Sequence, residues 1–204
     1  MYKDFDKWDL DDLKKEFNIL QSTDEDLMEK WFSMEKNISK EEFEKIKILR
    51  KILHRRVNAW NESELNFRFV APLVYLVGLE SITETIFLDR KIFKEINKKI
   101  LGGEFDLAFG TGRYNPKEIY FCMHMHKRER GKVTNPLADL LITMFTIQLN
   151  NEEKHPVYGA YVVGRLWFFV VMDKQKYSVS KAFDTSKKQV FEAFSHLKNL
   201  KNLI

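Results

Sequence analysis

Apolar residues recur every three or four positions through the early part of the chain. Leu10, Leu13, Phe17 and Leu20 form one stripe. Leu27, Met28, Trp31 and Phe32 form a second, and Phe43, Ile46, Leu49, Leu53 and Val57 a third. That spacing keeps side chains on one face of a helix and predicts three short helices within 9–57. Ser22, Thr23 and Asp24 supply a cap for the second, and Ser39 with Glu42 matches a capping box for the third. A further helix opens at Asn61, with Leu65, Phe69, Leu73 and Leu76 inward and Pro72 kinking or shortening it. Glu62 and Glu64 fall in its first turn, where the helix dipole favours carboxylates.

The period then changes. Thr83, Thr85, Ile86, Phe87 and Leu88 favour a strand, while Ile92, Phe93, Ile96 and Ile100 suit either helix or strand; the strand reading runs into a turn at Gly102-Gly103. Phe105, Leu107 and Phe109 alternate, predicting a second strand over 104–109. Gly110 to Pro116 reads as a loop, and no Gly-Lys-Ser/Thr follows it to cradle a phosphate. A largely apolar strand over 118–126 is expected at the centre of the sheet. Asn135-Pro136 starts a long helix with Leu137, Leu140, Leu141, Met144, Phe145 and Gln148 on its buried side. Val157–Val163 and Trp167–Met172 flank Gly164-Arg165 as a hairpin, Tyr177–Phe183 reads as a short edge strand, and Lys187–Leu203 closes the chain as a helix. The order predicts an α/β (α+β) protein, a central mixed sheet flanked by helices. Residues 1–58 are expected as a helical extension and 59–204 as the main domain.

Composition narrows this picture. At 204 residues with 44% hydrophobic and 31% charged positions, the chain has material for a packed core. Most of its 17 Phe are expected in that core. The single Cys122 excludes an intrachain disulfide, and no signal peptide opens the chain, so the expected compartment is the cytoplasm. No apolar run approaches membrane-spanning length. The net charge of +4 permits a polyanionic partner without demanding one. Residues 1–48 are rich in Asp and Glu and the basic excess comes later; Lys127-Arg128-Glu129-Arg130-Gly131-Lys132 reads as a basic loop. Arg128, Arg130 and Lys132 in that loop are the candidates for phosphate contact; a solvated surface loop accounts for them equally simply.

Two further groups carry candidate chemistry. His124 and His126 stand two apart on a strand and so share a face; with Asp106 on the neighbouring strand they compose a His/His/Asp set suited to Zn²⁺ or Mn²⁺. The competing account is a polar groove without metal. Asp106 is either a ligand or an ion-pair partner of Lys127. Cys122 alternates away from the histidines and reads as core.

The segments Gly103-Glu104-Phe105-Asp106 and Glu118 to Lys127, with the helix that follows them, resemble the core of the PD-(D/E)XK nuclease superfamily. Trp60-Asn61-Glu62 and the closing strands Val157-Tyr158-Gly159-Ala160 and Gly164 to Phe169 are similar to those of uncharacterised bacterial members. The resemblance covers about 61–204. It implies a restriction-endonuclease-like core in which Asp106 would hold a divalent metal such as Mg²⁺ and Lys127 would act on the phosphate. Glu64 would contribute a carboxylate from the first helix, by position. The second strand carboxylate of the family motif falls on Met125 when Lys127 is the motif Lys. In the alternative register, Glu and Lys become His124 and His126. In both registers the carboxylate is absent, and the helix position that often carries Gln is Asp139. The function expected from the resemblance is therefore a nuclease-like protein impaired in Mg²⁺-dependent cleavage that binds DNA, RNA or a protein partner. Its alternatives are an active divergent metal-dependent nuclease and an interaction module without a nucleic-acid role.

Overall fold

The computed structural model describes residues 2–22, 26–35, 37–96, 98–126 and 135–204. The chain starts with β1 (Tyr2–Asp4), a single 3-10 turn over Phe5–Lys7, α1 (Leu10–Phe17) and β2 (Leu20–Gln21). α2 (Asp26–Phe32) and α3 (Lys40–Arg56) follow, the latter opened by the expected capping box. The Ser39 hydroxyl accepts from the Glu42 N–H at 3.2 Å, and the Glu42 carboxylate accepts from the Ser39 N–H at 2.6 Å. α4 (Glu62–Leu65) carries a second box between Asn61 and Glu64. It widens into a π-helical segment over Asn66–Val70 before α5 (Ala71–Val77). Pro72 lacks the N–H that the Arg68 carbonyl would receive in a regular helix, and the widening falls on that stretch.

β3 (Glu84–Ile96) and β4 (Lys99–Thr111) pair antiparallel along their whole length, from Glu84↔Thr111 to Ile96↔Lys99. The expected turn at Gly102-Gly103 is corrected by this register: both glycines lie inside β4, and Lys98 with φ 63° belongs to the reversal. Close packing explains the glycines. A Cβ on Gly103 would fall 2.2 Å from the Phe5 ring, and one on Gly102 would fall 2.4 Å from Phe93.

After β5 (Glu118–His126) come α6 (Pro136–Asn150), the hairpin of β6 (Val157–Val163) and β7 (Leu166–Asp173), β8 (Lys176–Val179), β9 (Phe183–Asp184) and α7 (Gln189–Asn199). Among the described residues nine strands form one mixed sheet in the order β1-β4-β5-β6-β7-β8-β2, with β3 on β4 and β9 on β7. The Tyr177–Phe183 stretch is thus two strands on β7, and β2 covers the outer side of β8 through Leu20↔Lys176 and Gln21↔Tyr177. The β5–β6 pair is parallel and α6 bridges it, the usual crossover for parallel neighbours.

Helices cover both faces of the sheet. One layer, with Trp31, Leu53, Phe69 and Phe194, packs on Met123, Ala160 and Trp167. The other, with Leu13, Leu141 and Met144, packs on Phe105, Cys122 and Val170. α6 is buried on nearly every side from Ala138 to Gln148, beyond the single face its periodicity suggests, because α1 and the first turn of chain cover its outer side. The first 58 residues place strands at two points of the sheet and bury Trp31, Ile46 and Leu53 in the main core.

Candidate functional site

β4 is longer than either neighbour on its second side. β1 pairs with Ile100 to Gly102, and β5 with Leu107 to Thr111. Residues 103–106 span the interval between those two partners, and Asp106 closes it. Alternation also breaks here. Phe105 and Ala108 pack in the α6 layer while Leu107 packs in the opposite one, so a two-residue period does not run through Asp106. On β3 the facing position, Asp89, has φ 50°, a left-handed conformation that Asp tolerates better than most residues.

That local break aims the Asp106 carboxylate across to β5, where Oδ2 accepts the Met125 backbone N–H at 2.5 Å. Burial raises the Asp106 pKa, the Met125 N–H opposes the rise, and the nearby charges of Glu62, Asp89 and Glu104 add to it, leaving the carboxyl at about 6. Glu62 comes from the first turn of α4. Its neighbour Glu64 is engaged elsewhere. The Glu64 Oε2 accepts the Asn61 N–H at 2.9 Å, and its Oε1 lies 3.8 Å from Arg68. The capping box therefore occupies Glu64 and leaves Glu62 as the helix carboxylate that bears on Asp106. The signal was in the sequence. In Asn61-x-x-Glu64 the third helical residue is the one the box engages.

His124 belongs to the other layer. Its Nε2 lies 3.0 Å from the Thr143 hydroxyl, which itself donates to the Asp139 carbonyl at 2.8 Å. A hydroxyl has one hydrogen, so Nε2–H is the donor in this pair. The ring is buried against α6, whereas Asp106 turns to the Met125 backbone and into the field of α4. The physical reason is the strand period: Cys122 and His124 share the α6 face, and Met123 and Met125 take the opposite one. His124 and Asp106 of the expected His/His/Asp set thus face different layers. Among the described residues no group of three or more His, Cys, Asp or Glu is placed to hold a metal ion. The side chain of His126, and Lys127, Arg128, Arg130 and Lys132, lie outside the described residues.

Asp139 stands one turn before Thr143. Its carboxyl is buried, its Oδ1 makes no hydrogen bond, and burial together with the charge of Asp6 raises its pKa to about 7. Cys122 is fully buried and its thiol pKa is pushed up by burial, which fits a core residue rather than a nucleophile. Asn151, which sequence reasoning did not single out, clamps the start of β5. Its amide accepts the Ile119 N–H at 3.2 Å and donates to the Ile119 carbonyl at 2.7 Å, beside the irregularity in the β4–β5 register.

No protein-family model matches the chain, and no curated protein matches it. No helix among the described residues is long and apolar enough to cross a membrane.

Proposed function

We propose that the chain is a nuclease-like protein with a restriction-endonuclease-like core that binds DNA or RNA and is impaired in standard Mg²⁺-dependent cleavage. The observation that carries this reading is the hydrogen bond from Met125 to Asp106. A Mg²⁺ ion needs oxygen ligands in near-octahedral geometry. At the place where the resemblance expects a second strand carboxylate, Met125 presents an N–H, whose positive end faces the carboxylate and competes with a cation for it. Its thioether is a soft donor unsuited to Mg²⁺. Burial holds the Asp106 pKa up, and its charged neighbours Glu62, Asp89 and Glu104 add to the rise.

One observation favours a second reading, an active divergent nuclease: Glu62 on α4 lies close enough to influence Asp106. A shared cation would use the pair as oxygen donors. Incubation of plasmid and single-stranded DNA with the protein in Mg²⁺ or Mn²⁺ separates the two. The first reading expects little cleavage, with labelled DNA or RNA retained at low salt. Robust cleavage that disappears in Asp106→Ala establishes the second. Failure of both DNA and RNA to bind at low salt sinks the nucleic-acid role.

A further inference from the structure

The two halves of α3 use their charges differently. In the first half Lys45 pairs with Glu41 at 2.6 Å, Lys47 with Glu44 at 3.3 Å, and Glu42 holds Lys198 at 2.7 Å. Beyond Ile48 the helix carries Arg50, Lys51, His54, Arg55 and Arg56 and no carboxylate. Among the described residues Arg50, Lys51 and Arg55 enter no ion pair.

Ile46 and Leu53 turn one side of α3 into the core, both fully buried. Arg50, Lys51, His54 and Arg55 therefore share a flank away from it, and with Ser186 they line a cleft of about 370 Å³. The anionic residue beside that cleft is already satisfied. Asp184 accepts the Ser186 N–H at 3.0 Å and the Ser186 hydroxyl at 2.6 Å, with Lys187 at 3.4 Å and Arg165 at 3.7 Å. Burial acts to raise its pKa, but the Ser186 bonds and Lys187 outweigh it and hold the carboxyl below the ordinary value. The helix dipole accounts for cations in the last turn, where His54, Arg55 and Arg56 stand. It does not account for Arg50 and Lys51, which lie further back than the last turn over which the dipole acts.

We propose that this cleft grips the phosphodiester backbone of a nucleic acid, a contact that rests on the nucleic-acid reading above. Two arginine forks can each hold a phosphate through two donors, and Lys51 adds a point charge. The five residues that line the cleft include no apolar side chain for insertion into lipid, although Ile52 beside Lys51 is exposed. Exposed Ile48 lines a separate groove with Tyr75. The chain runs from the basic end of α3 through 57–61 directly into α4 and Glu62, so the cleft and the carboxylate cluster are consecutive along the sequence.

The test uses the full chain and fluorescence anisotropy of labelled single-stranded RNA, single-stranded DNA and duplex DNA across a salt series. Arg50→Gln/Lys51→Gln/Arg55→Gln is expected to weaken binding tenfold or more. It should also flatten the slope of log affinity against log salt by roughly 2, since each lost phosphate contact removes about 0.7–0.9. Thermal melting confirms that the variant folds. If half-buried Arg50 compromises folding, Lys51→Gln/Arg55→Gln, both exposed, is expected to weaken binding and flatten the slope by roughly 1.5. Wild-type binding with unchanged affinity and slope in both variants overturns the cleft while leaving the nucleic-acid reading intact. Wild type that binds none of the three probes overturns both. Co-sedimentation with phosphatidylserine vesicles that the variants lose, without nucleic-acid binding, overturns the proposal in favour of a lipid surface.

Discussion

A carboxylate in the first turn of a helix normally gains from the helix dipole. Asp139 occupies such a position in α6, yet its pKa is raised to about 7 by burial and by Asp6. Desolvation outweighs the dipole there. The consequence for stability follows in sign. The folded state prefers the neutral acid, so the favourable contribution is complete below about pH 4, the ordinary carboxyl range, and is lost as pH climbs to about 7. Asp139→Asn removes the charge and keeps the shape. Denaturant melts should find the variant more stable than wild type at pH 8, by up to roughly 4 kcal/mol if the whole shift is realised. The gap should close towards pH 4. A variant less stable than wild type at pH 8 would show that the ionised carboxylate has a partner. Asp106 follows the same logic over a narrower window, with its carboxyl at about 6. That Asp106 lies on a strand was legible from the apolar positions around it, but its environment was not. Met125 acts through its backbone, which carries no sequence signature, and the break in alternation that aims the carboxylate is a property of the paired strands.

At the scale of elements, long periodic segments declared themselves. β5, α6, the β6–β7 hairpin and α7 follow from alternation, from Pro136 at a helix start and from Gly164 at φ 60° in the hairpin turn. Gly102-Gly103 did not, because a pair of glycines signals two different things, a chain reversal or a close approach. Here it is the approach of Phe5, which is 3% exposed and lies where a Gly103 side chain would be. β1 and β2 span three and two residues, too few for any period to show. The glycine assignment has a direct check. Gly103→Ala should cost about 2 kcal/mol, as overpacked sites generally do. Phe5→Leu alone should be destabilising through lost burial, and the two together should cost less than their sum. Chemical denaturation of the two single variants and the double variant measures the coupling. Simple additivity would mean that the Phe5 ring does not constrain Gly103.

At the scale of the molecule, the question is whether the first 58 residues stand apart from the rest. Their acidic composition and helical periodicity suggested an appendage, and neither property reports on strand pairing. In the folded chain β1 pairs with Ile100 to Gly102 immediately before the Asp106 interval, and β2 covers β8. Trp31 is fully buried against Tyr158 and Phe169, and its indole N–H donates to the His196 carbonyl at 2.6 Å. Leu13 and Trp8 occupy the α6 layer. Removing 1–58 would therefore uncover both faces of the sheet and remove the Trp31 donor from the His196 carbonyl. Losing one large buried aromatic costs about 3–5 kcal/mol, and Trp8, Trp31, Ile46 and Leu53 would go together, against a typical total stability of about 5–15 kcal/mol. A 59–204 fragment is accordingly expected to lack a cooperative thermal transition and to bind hydrophobic dye, while the full chain melts in one step. A fragment that melts sharply and matches the full chain in near-ultraviolet circular dichroism would instead place the boundary of an independent domain at residue 59. The Asp106 region would then be held by the strands from β3 onward, without β1.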